Sequence, residues 1–264
     1  MREMNSNDLK VAMIADDLFE ASQTHLCLDP LTQTYPDLTL HDAYGIQLTN
    51  VSRLLSMGET ISGKKIGLTS RSMQDLLGVH EPDYGHLFAS MDMKDGIVPH
   101  KRLIQAKVEA EIAFILKEDL VGPNVTVDDV LNATDYVVAA LEIVDSRIKD
   151  WKIKLIDTVS DNASCGVYVL SKKQVKLDAI DLINESMSLY KNGEFVNQGT
   201  GKAVLDNPAY CVAWLANKMS DMGVILKKGE VILSGALSAM VSAQAGDRFE
   251  AQFSTLGSVS VTFE

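Results

Sequence analysis

The 264-residue chain is short of positive charge: 24 lysines and arginines stand against 36 aspartates and glutamates, a formal net charge of −12. That balance denies it the basic footprint on which nonspecific nucleic-acid binding depends. Cysteine is scarce. Cys27, Cys165 and Cys211 are odd in number and far apart, and they show neither CxxC spacing nor a disulfide framework. No apolar run approaches the length of a membrane span. The opening residues, MREMNSNDLK, hold no apolar stretch of the kind a signal peptide needs. A cytoplasmic location is therefore expected, with neither membrane nor nucleic acid as partner. His25, His41, His80, His86 and His100 show no HxxxH or HxH spacing and read as surface or supporting groups. Phosphate-cradling GxxxxGK, dinucleotide-binding GxGxxG and nucleophile-bearing GxSxG patterns are all missing. Internal repeats, low-complexity segments and clear linkers are missing too.

What the chain does have is KVEAEIAFIL, Lys107 to Leu116. Branched and aromatic residues fill it and no Gly or Pro interrupts it, so it reads as a β-strand. Side chains alternate between the faces of a strand. Glu109 and Glu111 therefore share one face with Ala113 and Ile115, while Val108, Ala110, Ile112, Phe114 and Leu116 form an apolar core face. At roughly 3.3 Å per residue the two glutamates stand about 6–7 Å apart along the backbone. Like charges beside a core are costly unless a cation or a shared proton intervenes. A lone Glu-x-Glu is commonly a solvated acidic face, but a third glutamate, Glu142, lies in a second apolar run, Tyr136 to Val144. Glutamate is rarely fully buried without a partner. Three carboxylates in strand-like, apolar surroundings point to an oxygen-ligand site for a hard divalent cation, Mg²⁺ or Mn²⁺.

The first sixty residues read as helical. Asn7 or Asp8 can cap a helix with the stripe Val11, Ile14, Ala15 and Leu18. A second helix starts near Thr39, with Tyr44, Leu48, Val51 and Leu55 at helical spacing, and stops at Gly58. This pair is either a small N-terminal layer or a subunit contact. Lys64 to Thr69 reads as a short strand, Arg71 to Leu77 as a helix closed by Gly78, and Glu81-Pro-Asp-Tyr-Gly85 as a turn or loop. Another short helix begins at Thr126. The span Trp151 to Ser160 is mixed, and Cys165 to Leu170 reads as a strand. Asn192-Gly193 between strand-like flanks signals a hairpin. Asn207-Pro208 opens a helix that Gly223 ends. Short strands follow at Glu230–Leu233, Arg248–Phe253 and Ser258–Phe263. The fold class that results is α+β with a mainly antiparallel or mixed sheet. Residues 1–60 form an N-terminal helical region and 61–264 a metal-binding catalytic domain, the two expected to make one integrated unit.

Several isolated residues carry ambiguous signals. Lys65, between a glycine and an apolar strand, is either a surface lysine or the cation that offsets the net −1 of three glutamates plus one divalent ion. Asp83, in a Pro-Asp turn signal, reads first as a structural turn residue. Asp161-Asn-Ala-Ser164 is either an Asx-type turn or a polar site wall. Ser234-Gly235-Ala236 follows an apolar strand, where glycine lets a ligand approach the backbone. Cys165 has no evident histidine partner and is not read as a nucleophile.

As a set, these pieces resemble the 2-hydroxypenta-2,4-dienoate hydratases of the fumarylacetoacetate hydrolase superfamily. The resemblance rests on Lys64-Lys-Ile-Gly-Leu-Thr69, Glu81 to Gly85, Glu109-Ala-Glu111, Ala140-Leu-Glu-Ile-Val-Asp-Ser-Arg147, Asp157 to Gly166, Ile232 to Leu237, Gly246-Asp247 and Leu256-Gly-Ser-Val259. It covers about Tyr35 to the C-terminus. It implies a mixed β-roll of the fumarylacetoacetate hydrolase C-terminal type with an N-terminal helical part, and homo-oligomeric assembly. It also implies Glu109, Glu111 and Glu142 as metal ligands, with Lys65, Asp83 and Ser164 as catalytic polar residues. The implied reaction adds water to 2-hydroxypenta-2,4-dienoate, giving 4-hydroxy-2-oxopentanoate in meta-cleavage degradation of aromatic compounds. Three alternatives stand beside it: 2-oxo-3-hexenedioate (4-oxalocrotonate) decarboxylase, 2-oxohept-3-enedioate hydratase, and a noncatalytic metal-stabilised partner of a pathway enzyme. A scaffold would not need Lys65, Asp83 and Ser164 as well as the glutamates. The run Cys165-Gly-Val-Tyr168 resembles the hydratases, and Ile232 to Met240 offers no cation for a second substrate carboxylate; Arg71 and Arg147 remain as candidates for one.

Overall fold

A computed structural model describes residues 6–264; residues 1–5, the first half of the stretch read above as lacking a leader, lie outside the described residues. The chain opens with three helices, α1 (Ser6–Thr24), α2 (Leu31–Thr34) and α3 (Leu40–Ser56). It continues through β1 (Ile61–Gly67), α4 (Arg71–Leu77), β2 (Asp83–Phe88), β3 (Ile97–Val98), β4 (Lys107–Leu116), α5 (Val127–Ala133) and β5 (Thr134–Val144). Next come α6 (Leu155–Ser160), β6 (Cys165–Leu170), β7 (Ser186–Lys191), β8 (Glu194–Thr200) and α7 (Pro208–Ser220). The last strands are β9 (Val231–Ala236), β10 (Val241–Ser242), β11 (Arg248–Phe253) and β12 (Gly257–Phe263).

Local chemistry sets most of these boundaries. Thr39 caps α3 through a capping box with Asp42, satisfying donors that a helix start leaves free. Gly78, at φ 66, closes α4 in the left-handed conformation that glycine adopts without a Cβ clash. Asn192 and Gly193, at φ 53 and 87, turn β7 into β8. Asn207 caps α7, with Pro208 at its first turn. Two expectations are corrected. Glu81 to Gly85 is not wholly a turn: from Asp83 onward it is β2, paired antiparallel with β1 so that Gly67 lies opposite Asp83. The buried face of α3 is Ala43, Ile46, Gln47 and Val51, with Leu48 half-buried and Leu55 exposed. The reason is tertiary: α3 is wedged between α1 on one side and α6 on the other.

The strands form two mixed sheets. The larger runs β2-β1-β9-β4-β5-β6, with β10 added to β4; the smaller runs β3-β12-β11-β7-β8. β1 with β9 and β12 with β3 are parallel pairs, and the remaining pairs are antiparallel. The main core lies on the β4 face carrying Val108, Ala110, Ile112, Phe114 and Leu116, together with Leu189, Phe249 and Val261 of the smaller sheet and Val212 and Leu215 of α7. That is the core face expected from the alternation in β4. The opposite face of the larger sheet carries a smaller apolar cluster including Ala113, Val138, Ala140 and Leu233. Glu109, Glu111 and Glu142 share that second face by the two-residue alternation of their strands.

Candidate metal centre and active site

β4 and β5 are registered so that Glu109 faces Glu142 directly across the ladder, while Glu111 pairs with Ala140 on one side and Ala236 on the other. Alternation puts Glu109 and Glu111 on one face, and register brings Glu142 to them. The three side chains each offer a carboxylate oxygen within 4.8 Å of the others. Glu111 and Glu142 are 1% exposed, and Glu109 is half-buried. Gly235 N donates to Glu111 Oε2 at 2.7 Å, but Glu111 Oε1 and Glu142 Oε2 are buried with no partner. Burial raises the pKa of all three carboxyls, and their mutual repulsion adds to this for Glu109 and Glu111. Glu109 is raised to about 7. Oxygens this close, two of them orphaned, match the donor set that a hard cation gathers at roughly 2.0–2.6 Å. A divalent ion would supply the charge that the cluster lacks.

Lys65 is buried on β1, and its Nζ lies 3.4 Å from Glu142 Oε1. Burial alone would lower its pKa, but Glu142 and Asp83 outweigh that and hold it raised and charged. Its neighbour Lys64 points to the other face and pairs with Glu230 at 3.3 Å. Asp83 is 2% exposed. Burial raises its pKa, opposed by Lys65, the Gly67 backbone and the Thr158 hydroxyl. Gly67 is required here, because a Cβ at that position would lie 2.3 Å from Asp83 Oδ1. The structure thus gathers Lys65 and Asp83 around the carboxylates.

Ser164 arrives by a strained route. Asn162, Ala163 and Ser164 have φ of 52, 52 and 53, three consecutive non-glycine residues in the left-handed region. Such residues cost of order 1–3 kcal/mol each and persist only where the surroundings over-determine them. Here Asn162 grips β2, accepting from His86 N at 2.8 Å and donating to His86 O at 2.9 Å. Gly85 leaves room, since a Cβ there would meet Asn162 O at 2.3 Å. The Asp161 to Ser164 stretch is therefore locked onto β2. Ser164 Oγ lies 3.3 Å from Thr158 Oγ1.

Other candidates turn out structural. Arg147 is consumed by an ion pair with Asp161 and by donation to Cys165 O and Asp161 O at 2.8 and 2.7 Å. Arg71 is exposed and pairs with Asp206 at 3.2 Å. Ser234 Oγ turns away to Ile112 O at 2.9 Å, although Gly235 beside it does donate to Glu111. Cys165 is buried, its thiol pushed up by burial, with Sγ 3.8 Å from Glu142 Oε1. His86 is a supporting group and not a surface one: it is 3% exposed, its pKa lowered to about 3 by burial, with Nδ1 3.2 Å from Gln47 Oε1. Sequence reasoning missed Thr158 and Gln47. Thr158 lies inside the Asp157 to Gly166 stretch, but nothing in its spacing separates it from a core threonine.

Residues 88–264 match the family described as fumarylacetoacetate (FAA) hydrolase C-terminal. The chain is similar to the 2-hydroxyhexa-2,4-dienoate hydratase of Comamonas testosteroni, 48% identical over 249 residues, 93% of this chain and 94% of that one. It is similar to the 2-keto-4-pentenoate hydratase of Paraburkholderia xenovorans strain LB400, 48% identical over 251 residues, 95% and 93% of the two chains. Among solved structures it resembles the 4-oxalocrotonate decarboxylase of Pseudomonas putida G7 complexed with magnesium and adipate, with a TM-score of 0.95 and 34% identity over 100% of both chains.

Proposed function

This chain belongs to the fumarylacetoacetate hydrolase family, and on that premise we propose that it is a divalent-metal-dependent hydratase. It adds water to 2-hydroxypenta-2,4-dienoate to give 4-hydroxy-2-oxopentanoate, a step in the meta-cleavage degradation of aromatic compounds. The observation that carries the reading is the cluster of Glu109, Glu111 and Glu142 with two orphaned oxygens, in a chain 48% identical to relatives named as such hydratases.

Glu109, Glu111 and Glu142 hold the ion, Mg²⁺ or Mn²⁺. When bound, it supplies Lewis-acid stabilisation of charge on the substrate's 2-oxygen. Lys65 offsets the negative charge that a carboxylate substrate brings to an acidic site. Asp83, whose pKa burial raises, is the acid/base that exchanges a proton with the carbon chain. Ser164, on its strained turn, orients water or substrate. The helical region 1–60 and the β-roll 61–264 act as one unit, because Gln47 of α3 donates to Tyr84 O and Val159 O at 3.0 and 2.9 Å beside the site.

One specific observation bears on the sister decarboxylase, whose substrate carries a second carboxylate. Of its two candidate cations, Arg147 is spent on Asp161 and Arg71 lies at the surface, which favours the hydratase. The test supplies 2-hydroxypenta-2,4-dienoate and 2-oxo-3-hexenedioate separately to metal-loaded protein. Loss of dienoate absorbance with formation of 4-hydroxy-2-oxopentanoate is expected, with little CO₂ from the diacid. Rapid CO₂ release from the diacid without hydration of the dienoate would overturn the reading in favour of the decarboxylase.

The enzyme is cytoplasmic and homo-oligomeric in this reading, with complexes with pathway enzymes also compatible. Cys27, Cys165 and Cys211 are unpaired, as in a reducing compartment. Among the described residues no helix is long and apolar enough to cross a membrane. Leu9, Met13, Leu55 and Met57 leave apolar surface exposed along the N-terminal helices, which suits a subunit contact. Sedimentation of the native protein checks the assembly.

A further inference from the structure

Thr158 sits in the middle of α6, 5% exposed, between the two polar residues proposed for proton handling. Its hydroxyl lies 3.3 Å from Ser164 Oγ and is among the groups that oppose the rise of the Asp83 pKa on burial, while Asp83 Oδ1 itself is buried with no partner. The backbone around it is pinned on both sides. Gln47 Nε2 donates to Tyr84 O and to Val159 O, the carbonyls of the residues that follow Asp83 and Thr158. Asn162 closes the third side by gripping His86 on β2. Three segments distant in sequence are thereby held so that one hydroxyl stands beside an acid and an alcohol.

We infer that Thr158 is a positioning residue for hydration: its hydroxyl lines up the Asp83 carboxyl and the Ser164 hydroxyl beside the carboxylate cluster. The inference rests on the roles given above to Asp83 and Ser164. A hydroxyl has one proton to donate and two lone pairs to accept with. Donation to Asp83 favours its ionised form, because a hydrogen bond to a carboxylate is charge-assisted. Thr158 then accepts from Ser164, which turns the Ser164 lone pairs outward to a water or substrate hydroxyl. The β-branch restricts the side chain to few rotamers, so the direction of this line is held by packing as well as by hydrogen bonds.

The test compares Thr158→Val, which keeps the shape and removes the hydroxyl, with Thr158→Ser, which keeps the hydroxyl and removes the methyl. In Thr158→Val, kcat for the dienoate is expected to fall about 10- to 100-fold, the usual range for residues that orient catalytic groups. KM, Mn²⁺ affinity and melting temperature should stay close to wild type. Thr158→Ser should recover kcat to within about threefold, because the hydroxyl is the operative group. A purely structural threonine gives the reverse order, with valine tolerated and serine destabilised. If the valine variant does not fold, Thr158→Ser and Thr158→Ala make the same comparison, differing by the hydroxyl alone. Wild-type kcat in Thr158→Val, or equal loss in the serine and hydroxyl-free variants, overturns the inference and leaves the hydratase reading intact. No hydration by metal-loaded wild type overturns both.

Discussion

Glu185, at the border of the smaller sheet, and Glu111, in the middle of the larger one, are buried to the same degree, at 2% and 1% exposure. Their surroundings differ completely. Glu185 accepts from Ser254 Oγ at 3.0 Å, Thr255 N at 2.6 Å and Leu256 N at 3.0 Å, so both its oxygens are used. Glu111 receives one backbone N–H and leaves Oε1 empty, two residues from Glu109 and beside Glu142 with its own empty oxygen. The first arrangement ties the entry of β7 to the turn between β11 and β12 and is complete without a ligand. The second is incomplete by its own chemistry. A buried carboxylate becomes informative about function through what its oxygens lack, since burial alone is shared by both.

The sharpest way to break this comparison is to neutralise one member of each region. Glu111→Gln or Glu142→Gln should abolish tight Mn²⁺ binding and lower kcat by at least about 100-fold, read by metal titration and dienoate turnover. In the presence of chelator Glu111→Gln should melt about 2–4 °C higher than wild type, because a like-charge conflict has been removed, whereas Glu142→Gln should not, because it also strips the buried Lys65 of its partner. A metal-free protein with full activity would contradict the carboxylate cluster as a metal centre. Glu185→Gln should behave oppositely, losing roughly 2–3 kcal/mol in denaturant unfolding through its mismatched backbone donors while keeping metal affinity.

His86 sharpens the contrast from between the two extremes, because it is buried with Gln47 as its side-chain partner. Its folded pKa of about 3 lies below the unfolded value, so its neutral form stabilises the fold above the unfolded pKa. That contribution is lost as pH falls from near 6.5 toward the folded value. Unfolding free energy should decrease by up to about 1.4 kcal/mol per pH unit below 6.5 from this group. A wild-type minus His86→Gln comparison of urea midpoints at pH 7 and pH 5 isolates it; equal differences at both pH values would remove His86 from the account. The smallest effect is expected far from either region. Thr39→Ala, which breaks the capping box of α3, should cost about 1 kcal/mol, with turnover unchanged.

Much of this was determined by the sequence alone. Alternation in Lys107 to Leu116 separates the core face from the glutamate face, because side-chain direction in a strand is local. Caps and turns are equally local, and Asn207-Pro208, Asn192-Gly193 and Gly78 punctuate the chain where their chemistry requires. The family motifs, spread from Lys64 to Val259, also stand in the sequence. Tertiary structure decided everything that depends on which strand lies beside which. Register set Glu142 opposite Glu109, and strand order chose the partners of the two adjacent lysines, Glu142 for Lys65 and Glu230 for Lys64. Pairing with β1 made a strand of Asp83 to Phe88, where the local signal was a turn. The ion pair with Asp161 removed Arg147 from the pool of free cations, and packing of α6 placed Thr158 against Ser164. The division has one physical cause. Backbone preference and side-chain alternation act over a few residues, whereas register, burial and partner choice are set by contacts between segments that only the folded chain brings together.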